Sequence, residues 1–133
     1  DITADANWRQ GLSITSANGV LVRNSRFVNT KGFSPEAGVD VEPSDSRDLA
    51  QNIRFENCHA GGNASTHNQG AADWVVSVTR LTTTSAPVSV DFVNCTASPV
   101  RQRAIYGNGL GLEDPTYPPG YVAWGDSIVW GAR

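Results

Sequence analysis

Three nine-residue segments of this chain superimpose without a gap, and that repeat constrains the fold more than any other feature. They are Gly19-Val20-Leu21-Val22-Arg23-Asn24-Ser25-Arg26-Phe27, Asn52-Ile53-Arg54-Phe55-Glu56-Asn57-Cys58-His59-Ala60 and Ser89-Val90-Asp91-Phe92-Val93-Asn94-Cys95-Thr96-Ala97. Their columns read Val20, Ile53, Val90, then Val22, Phe55, Phe92, then Asn24, Asn57, Asn94, then Ser25, Cys58, Cys95. Alternating apolar positions describe a strand with one face inward. Asparagine tolerates left-handed backbone and marks a turn, and stacked on itself it can form an amide ladder. The small residue after it fits an inward position just past a corner.

A second strand precedes each of these. Gly11-Leu12-Ser13-Ile14-Thr15 matches Gly38-Val39-Asp40-Val41-Glu42 and Val75-Val76-Ser77-Val78-Thr79, with Leu12, Val39, Val76 and Ile14, Val41, Val78 inward. The unit is strand, turn, strand, long loop, and one unit alone cannot bury its apolar side. Loops such as Thr30–Ala37 and Ala60–Trp74 take up the extra length and are rich in Gly, Asn, Ser and Pro. A less regular later coil begins at Ala104-Ile105-Tyr106 and closes at Ser127-Ile128-Val129-Trp130, with a long loop over Gly107–Gly120. Thirteen Gly, seven Pro and no Met accompany a scarcity of helix formers. The expected fold is all-β: a right-handed parallel β-helix, or solenoid, of about four coils with long protruding loops, one domain over residues 1–133. An antiparallel sandwich is the competitor. It has no need of gapless repeats, and Asn18-Gly19 and Asn108-Gly109 are the only hairpin signals of that kind.

With 10 Lys and Arg against 13 Asp and Glu, the charge balance recruits neither nucleic acid nor an acidic membrane surface. No apolar run approaches the roughly 20 residues of a membrane span. Cys58 and Cys95 occupy equivalent inward positions in consecutive units, as a disulfide or as a ladder of buried thiols. The sequence gives no metal-ligand spacing and implies no cofactor.

Asn7-Trp8-Arg9-Gln10-Gly11-Leu12-Ser13-Ile14, then Asn-Ser-x-Phe, then Ala37-Gly38-Val39-Asp40-Val41-Glu42-Pro43, resembles right-handed β-helix proteins of the pectate-lyase-like superfamily over roughly residues 1–100. The resemblance implies action on an acidic or neutral polysaccharide as a lyase, hydrolase or epimerase, or else a non-catalytic spike or adhesin that binds glycans. It implies an extracellular or cell-surface location. It carries over no catalytic motif residue by residue. Members of this group have more coils and an N-terminal capping helix, so the chain is expected to be a fragment, or to have its open end closed by self-association or a partner chain.

On the first strand set the outward columns are Ser13, Asp40, Ser77 and Thr15, Glu42, Thr79, with a further column of Arg9, Glu36, Asp73 at the strand entries. Asp40 and Glu42, two apart on a flat exposed sheet and about 7 Å from each other, are the candidate acid/base pair for glycoside cleavage. Arg9 completes the catalytic set, neutralising a uronate carboxylate or holding a carboxylate of the protein itself. Outward charges also serve simply to keep a sheet soluble. Gln10, Glu36, Asp73, His67 and Trp74 are the candidate substrate contacts, Trp8 and Trp74 standing at strand entrances where an exposed ring could stack on sugar. Core packing is the bland reading for the tryptophans. His59 and Lys31 are weaker candidates, Lys31 as the base of a β-elimination.

Overall fold

The computed structural model describes residues 1–33, 35–63, 73–98, 103–106 and 118–133. They form an all-β protein, with no helix among the described residues. Thirteen strands follow one another: β1 (Thr3–Asp5), β2 (Gln10–Ile14), β3 (Ala17–Arg23), β4 (Arg26–Val28), β5 (Ala37–Val41), β6 (Ala50–Glu56), β7 (His59–Gly61), β8 (Trp74–Ser77), β9 (Val88–Val93), β10 (Thr96–Ala97), β11 (Arg103–Tyr106), β12 (Gly120–Trp124) and β13 (Ser127–Gly131). Each sheet takes every third strand. The orders are β1-β4-β7-β10, β2-β5-β8-β11 and β3-β6-β9-β12-β13. All pairings are parallel except that of β12 with β13.

The repeat columns are the pairing register of the third sheet. Val20 lies beside Ile53 and Ile53 beside Val90, while Val22, Phe55 and Phe92 form the next row. Each strand ends at its asparagine. Asn24, Asn57 and Asn94 have φ of 51°, 53° and 50°, the left-handed region that asparagine tolerates best among residues with a side chain. Their amides form the ladder: Asn57 Nδ2 donates to Asn24 Oδ1 at 3.5 Å and Asn94 Nδ2 to Asn57 Oδ1 at 3.3 Å. Those bonds are long, so the backbone preference carries most of the corner's stability. Asn57→Ala is expected to cost about 1 kcal/mol and Asn57→Gly much less, to be read as midpoint shifts in urea unfolding.

Past the corner the chain turns into a third set of short strands, β4, β7 and β10, where two strands per unit were expected. They are two or three residues long, too short for an alternation signal. Ser25, Cys58 and Cys95 are buried at the corner, and both cysteines are free thiols. Their Sγ atoms point to carbonyls, Cys58 to Glu56 O at 3.2 Å and Cys95 to Phe55 O at 3.5 Å. Burial pushes the Cys95 thiol up to about 11, so it stays protonated and inert.

Side chains from all three sheets meet in one core. Phe55 and Phe92 stack at 5.1 Å, and Trp74 sets its edge against Phe27, Phe55, Phe92 and Trp124 at 6.2, 5.4, 5.3 and 6.0 Å. Seating Trp74 inward corrects the expected register of the second sheet. Leu12, Val39 and Ile14, Val41 pair as expected. The next strand is shifted by two, with Val39 beside Trp74, Asp40 beside Val75 and Val41 beside Val76. A two-residue slip keeps the same residues inward, so alternation alone does not distinguish the registers.

The last expected coil is also different. Ser127–Gly131 runs antiparallel to β12 through a turn at Gly125 and Asp126, Gly125 having φ 59°. Of the two expected hairpin signals, Asn18-Gly19 lies inside β3 and Asn108-Gly109 lies outside the described residues. Asp91 ties this end down, accepting from Tyr121 Oη at 2.8 Å and from Arg133 Nη2 at 3.1 Å.

Candidate functional site

Strand β5 sits between β2 and β8 and is buried on both faces. Its inward residues Val39 and Val41 join the core, and its outward Ala37 packs with Val75. Asp40 shares that outward face and is only 1% exposed. The flat, solvent-facing carboxylate expected from the alternation is therefore a covered one. Gln10, half-buried at the start of β2, donates Nε2 to Asp40 Oδ2 at 3.1 Å. Asp40 Oδ1 is buried with no hydrogen-bond partner.

That environment favours the protonated acid. Burial pushes Asp40 up to about 6; the Gln10 bond opposes this, and Glu42 adds to it through its charge and through the carboxyl-to-carboxyl hydrogen bond a shared proton allows. Arg9 offsets part of the rise by its positive charge. Glu42 is thus near enough for its charge to act on Asp40. Glu42 lies at the exposed end of the pair. A covered carboxyl that favours its proton, with a solvent-facing carboxyl near it, offers a proton donor and an acceptor within a single site.

Gln10 bonds Asp40, and the charges of Glu42 and Arg9 act on it, while the other described candidates lie elsewhere. Asp73 is fully buried, and its carboxylate is consumed by the protein itself. Oδ1 accepts from Asn63 Nδ2 at 3.0 Å, and Oδ2 from the amide and hydroxyl of Ser98 at 2.8 and 2.5 Å. It locks the chain entering β8, where its carbonyl also accepts from the Val39 amide at 3.0 Å. Glu36 is buried with φ 54° and accepts from the Gly32 amide at 2.8 Å, holding its own loop. Both are structural carboxylates rather than substrate contacts. Trp74 is a core residue whose indole N–H donates to Thr96 O at 3.1 Å, so it offers no ring face to a ligand. His67 lies outside the described residues. His59 faces outward beside Thr96, with Nδ1 2.8 Å from its hydroxyl. Lys31 is exposed, its amide bonded to Asn7 O at 3.0 Å.

Trp8 is the tryptophan that does face solvent, 72% exposed, and Phe33 beside it is 63% exposed. The sequence left Phe33 unremarked because it lies in a loop and has no counterpart in the repeat. A large apolar residue unsupported by any repeat column was the signal available.

No protein family, curated protein or solved structure matches this chain.

Proposed function

We propose that this chain is a carbohydrate-active module of pectate-lyase-like type, a glycoside hydrolase, lyase or epimerase acting on a polysaccharide outside the cell or on its surface. We also infer that its three sheets wind as a right-handed parallel β-helix. Support for the winding is the pairing of every third strand, together with the near-universal right hand of crossovers between parallel strands. The observation that carries the functional reading is the buried, partner-free Oδ1 of Asp40 on a carboxyl that holds its proton up to about pH 6. Such a group suits a general acid.

In this reading Asp40 donates its proton to the leaving oxygen. Gln10 fixes the carboxyl through Oδ2, and the substrate must displace the cover over the buried Oδ1 to receive its proton. Glu42, exposed on the same sheet, accepts a proton from water in hydrolysis or from a sugar carbon in elimination or epimerisation. Arg9 stabilises the charge that develops there and matches a uronate carboxylate.

Reducing-end release and absorbance of unsaturated products, over a panel of neutral and uronic polysaccharides, test this reading. Asp40→Asn and Glu42→Gln are each expected to lower turnover by about 10²–10⁴-fold, the contribution of a positioned acid or base. Turnover by both variants at the parent rate would reject the assignment. No turnover by the parent on any polysaccharide would favour a non-catalytic glycan-binding module.

A further inference from the structure

We propose that one water molecule is held inside the corner where the chain leaves the first sheet, bridging Asn7 to Thr30. This inference does not depend on the polysaccharide reading. Three successive units leave the sheet in the same way. Asp5, Val28 and Gly61 are register partners at the ends of β1, β4 and β7. The residue after each, Ala6, Asn29 and Gly62, has φ of 55°, 58° and 66°. That left-handed step turns the chain, and the register carries on past it. The Ala6 amide donates to Val28 O and the Asn29 amide to Gly61 O, both at 3.1 Å, and the Lys31 amide donates to Asn7 O at 3.0 Å. Asn7, Thr30 and Asn63 therefore form a column, each one residue past the turn. The asparagine ladder on the third sheet is exposed, whereas this column is internal. Thr30 and Asn63 are buried and Asn7 is half-buried.

A polar column in the interior has to find its own hydrogen bonds. The half towards Asn63 does so. Asn63 Oδ1 accepts from the Thr30 amide, and Asn63 Nδ2 donates to Asp73 Oδ1 and to Phe27 O, each at 3.0 Å. The half towards Asn7 does not: Asn7 Nδ2 and Thr30 Oγ1 are both buried, and no protein atom bonds either one. Register partners on neighbouring strands point to the same face and lie about 4.8 Å apart, too far for these two atoms to meet unaided. Two hydrogen bonds of ordinary length meeting at a tetrahedral oxygen span roughly 4.5 Å, so one water matches the separation that strand spacing imposes. The two atoms also identify the occupant. Asn7 Nδ2 only donates, which repels a cation, while Thr30 Oγ1 both donates and accepts. The Asp73 carboxylate, bonded to Asn63 at the far end of the column, disfavours an anion. A small neutral molecule that accepts from an amide and shares a hydrogen bond with a hydroxyl is water. The bridge joins the first unit to the second just before the chain enters β2, and so it fixes that entry.

A high-resolution crystal structure of the chain tests this directly. A water oxygen about 2.7–3.2 Å from both Asn7 Nδ2 and Thr30 Oγ1 is expected. In solution, magnetic relaxation dispersion of the water signal counts the molecules that tumble with the protein. Thr30→Val keeps the side-chain shape and removes the hydroxyl, so it should lower that count by one. Thr30→Ser keeps the hydroxyl and should leave the count at the parent value. Circular dichroism melts check that both variants are folded, and the parent crystal structure decides the matter even where Thr30→Val does not fold. A direct bond between the Asn7 and Thr30 side chains, or no water within reach of both atoms, overturns the proposal. An unchanged count in folded Thr30→Val does so as well.

Discussion

Trp74→Ala should destabilise the protein by about 3–5 kcal/mol, the range for emptying a large aromatic from a packed core. Trp74 is 1% exposed and sits edge-on to Phe27, Phe55, Phe92 and Trp124, which between them come from the first and third sheets. Removing the indole leaves those rings without a common partner, and the strands that carry them are held in register by the backbone ladder, so the space collapses only in part. The Thr96 carbonyl also loses its donor, adding to the cost because that acceptor is part-buried. Since a domain of this kind has about 5–15 kcal/mol in all, urea unfolding should show a large fall in midpoint. Trp74→Phe, which keeps a ring but not the N–H, should recover a substantial part. Trp8→Ala is the control. An exposed ring away from the core should shift stability by no more than about 0.5 kcal/mol. Equal losses for the two tryptophans would contradict the division between core and surface.

That division was not legible in the sequence, and the reason is physical. Trp8 precedes β2 and Trp74 opens β8, strands of the same sheet, and alternation cannot say how far the third strand slides along the second. The slide of two residues that brings Trp74 beside Val39 is invisible to a pattern of period two. The third sheet was legible almost completely, because each of its corners is pinned by an asparagine at positive φ and a gapless match therefore equals a register. The short strands β4, β7 and β10 left no such trace. The closing hairpin was missed because its turn is Gly125-Asp126 rather than the Asn-Gly or Asp-Gly order.

Sequence spacing set Asp40, Glu42, Arg9 and Gln10 on one sheet but gave the wrong environment for Asp40. An outward position on a strand was taken to mean water, whereas β5 is covered on both faces. Burial is a property of neighbouring chain far away in sequence, and it is burial that raises Asp40. The same blindness applied to Asp73 and Glu36, whose partners Asn63, Ser98 and Gly32 lie in loops the repeat does not describe.

Asp40→Asn should stabilise the protein at neutral pH while it removes the proposed acid. In the unfolded chain this carboxyl titrates near its ordinary value of 3.8, and in the folded one at about 6. Below about pH 4 both states hold the proton and Asp40 carries no penalty. Between about 4 and 6 the unfolded chain releases its proton first, so the folded state binds more protons and stability falls as pH rises. Above about 6 the full cost of a buried charge beside Glu42 is present, roughly 2–3 kcal/mol at the conversion of 1.36 kcal/mol per pK unit. Asparagine has the same shape. Its carbonyl can keep the Gln10 bond, and its amide can donate to Glu42, where two ionised carboxylates would repel. The variant should therefore melt several degrees above the parent at pH 8 and close to it at pH 4. A difference that does not change with pH would mean that Asp40 titrates normally in the folded protein, and the acid would have to be sought elsewhere. A difference that grows with pH would show the site being kept at the expense of stability.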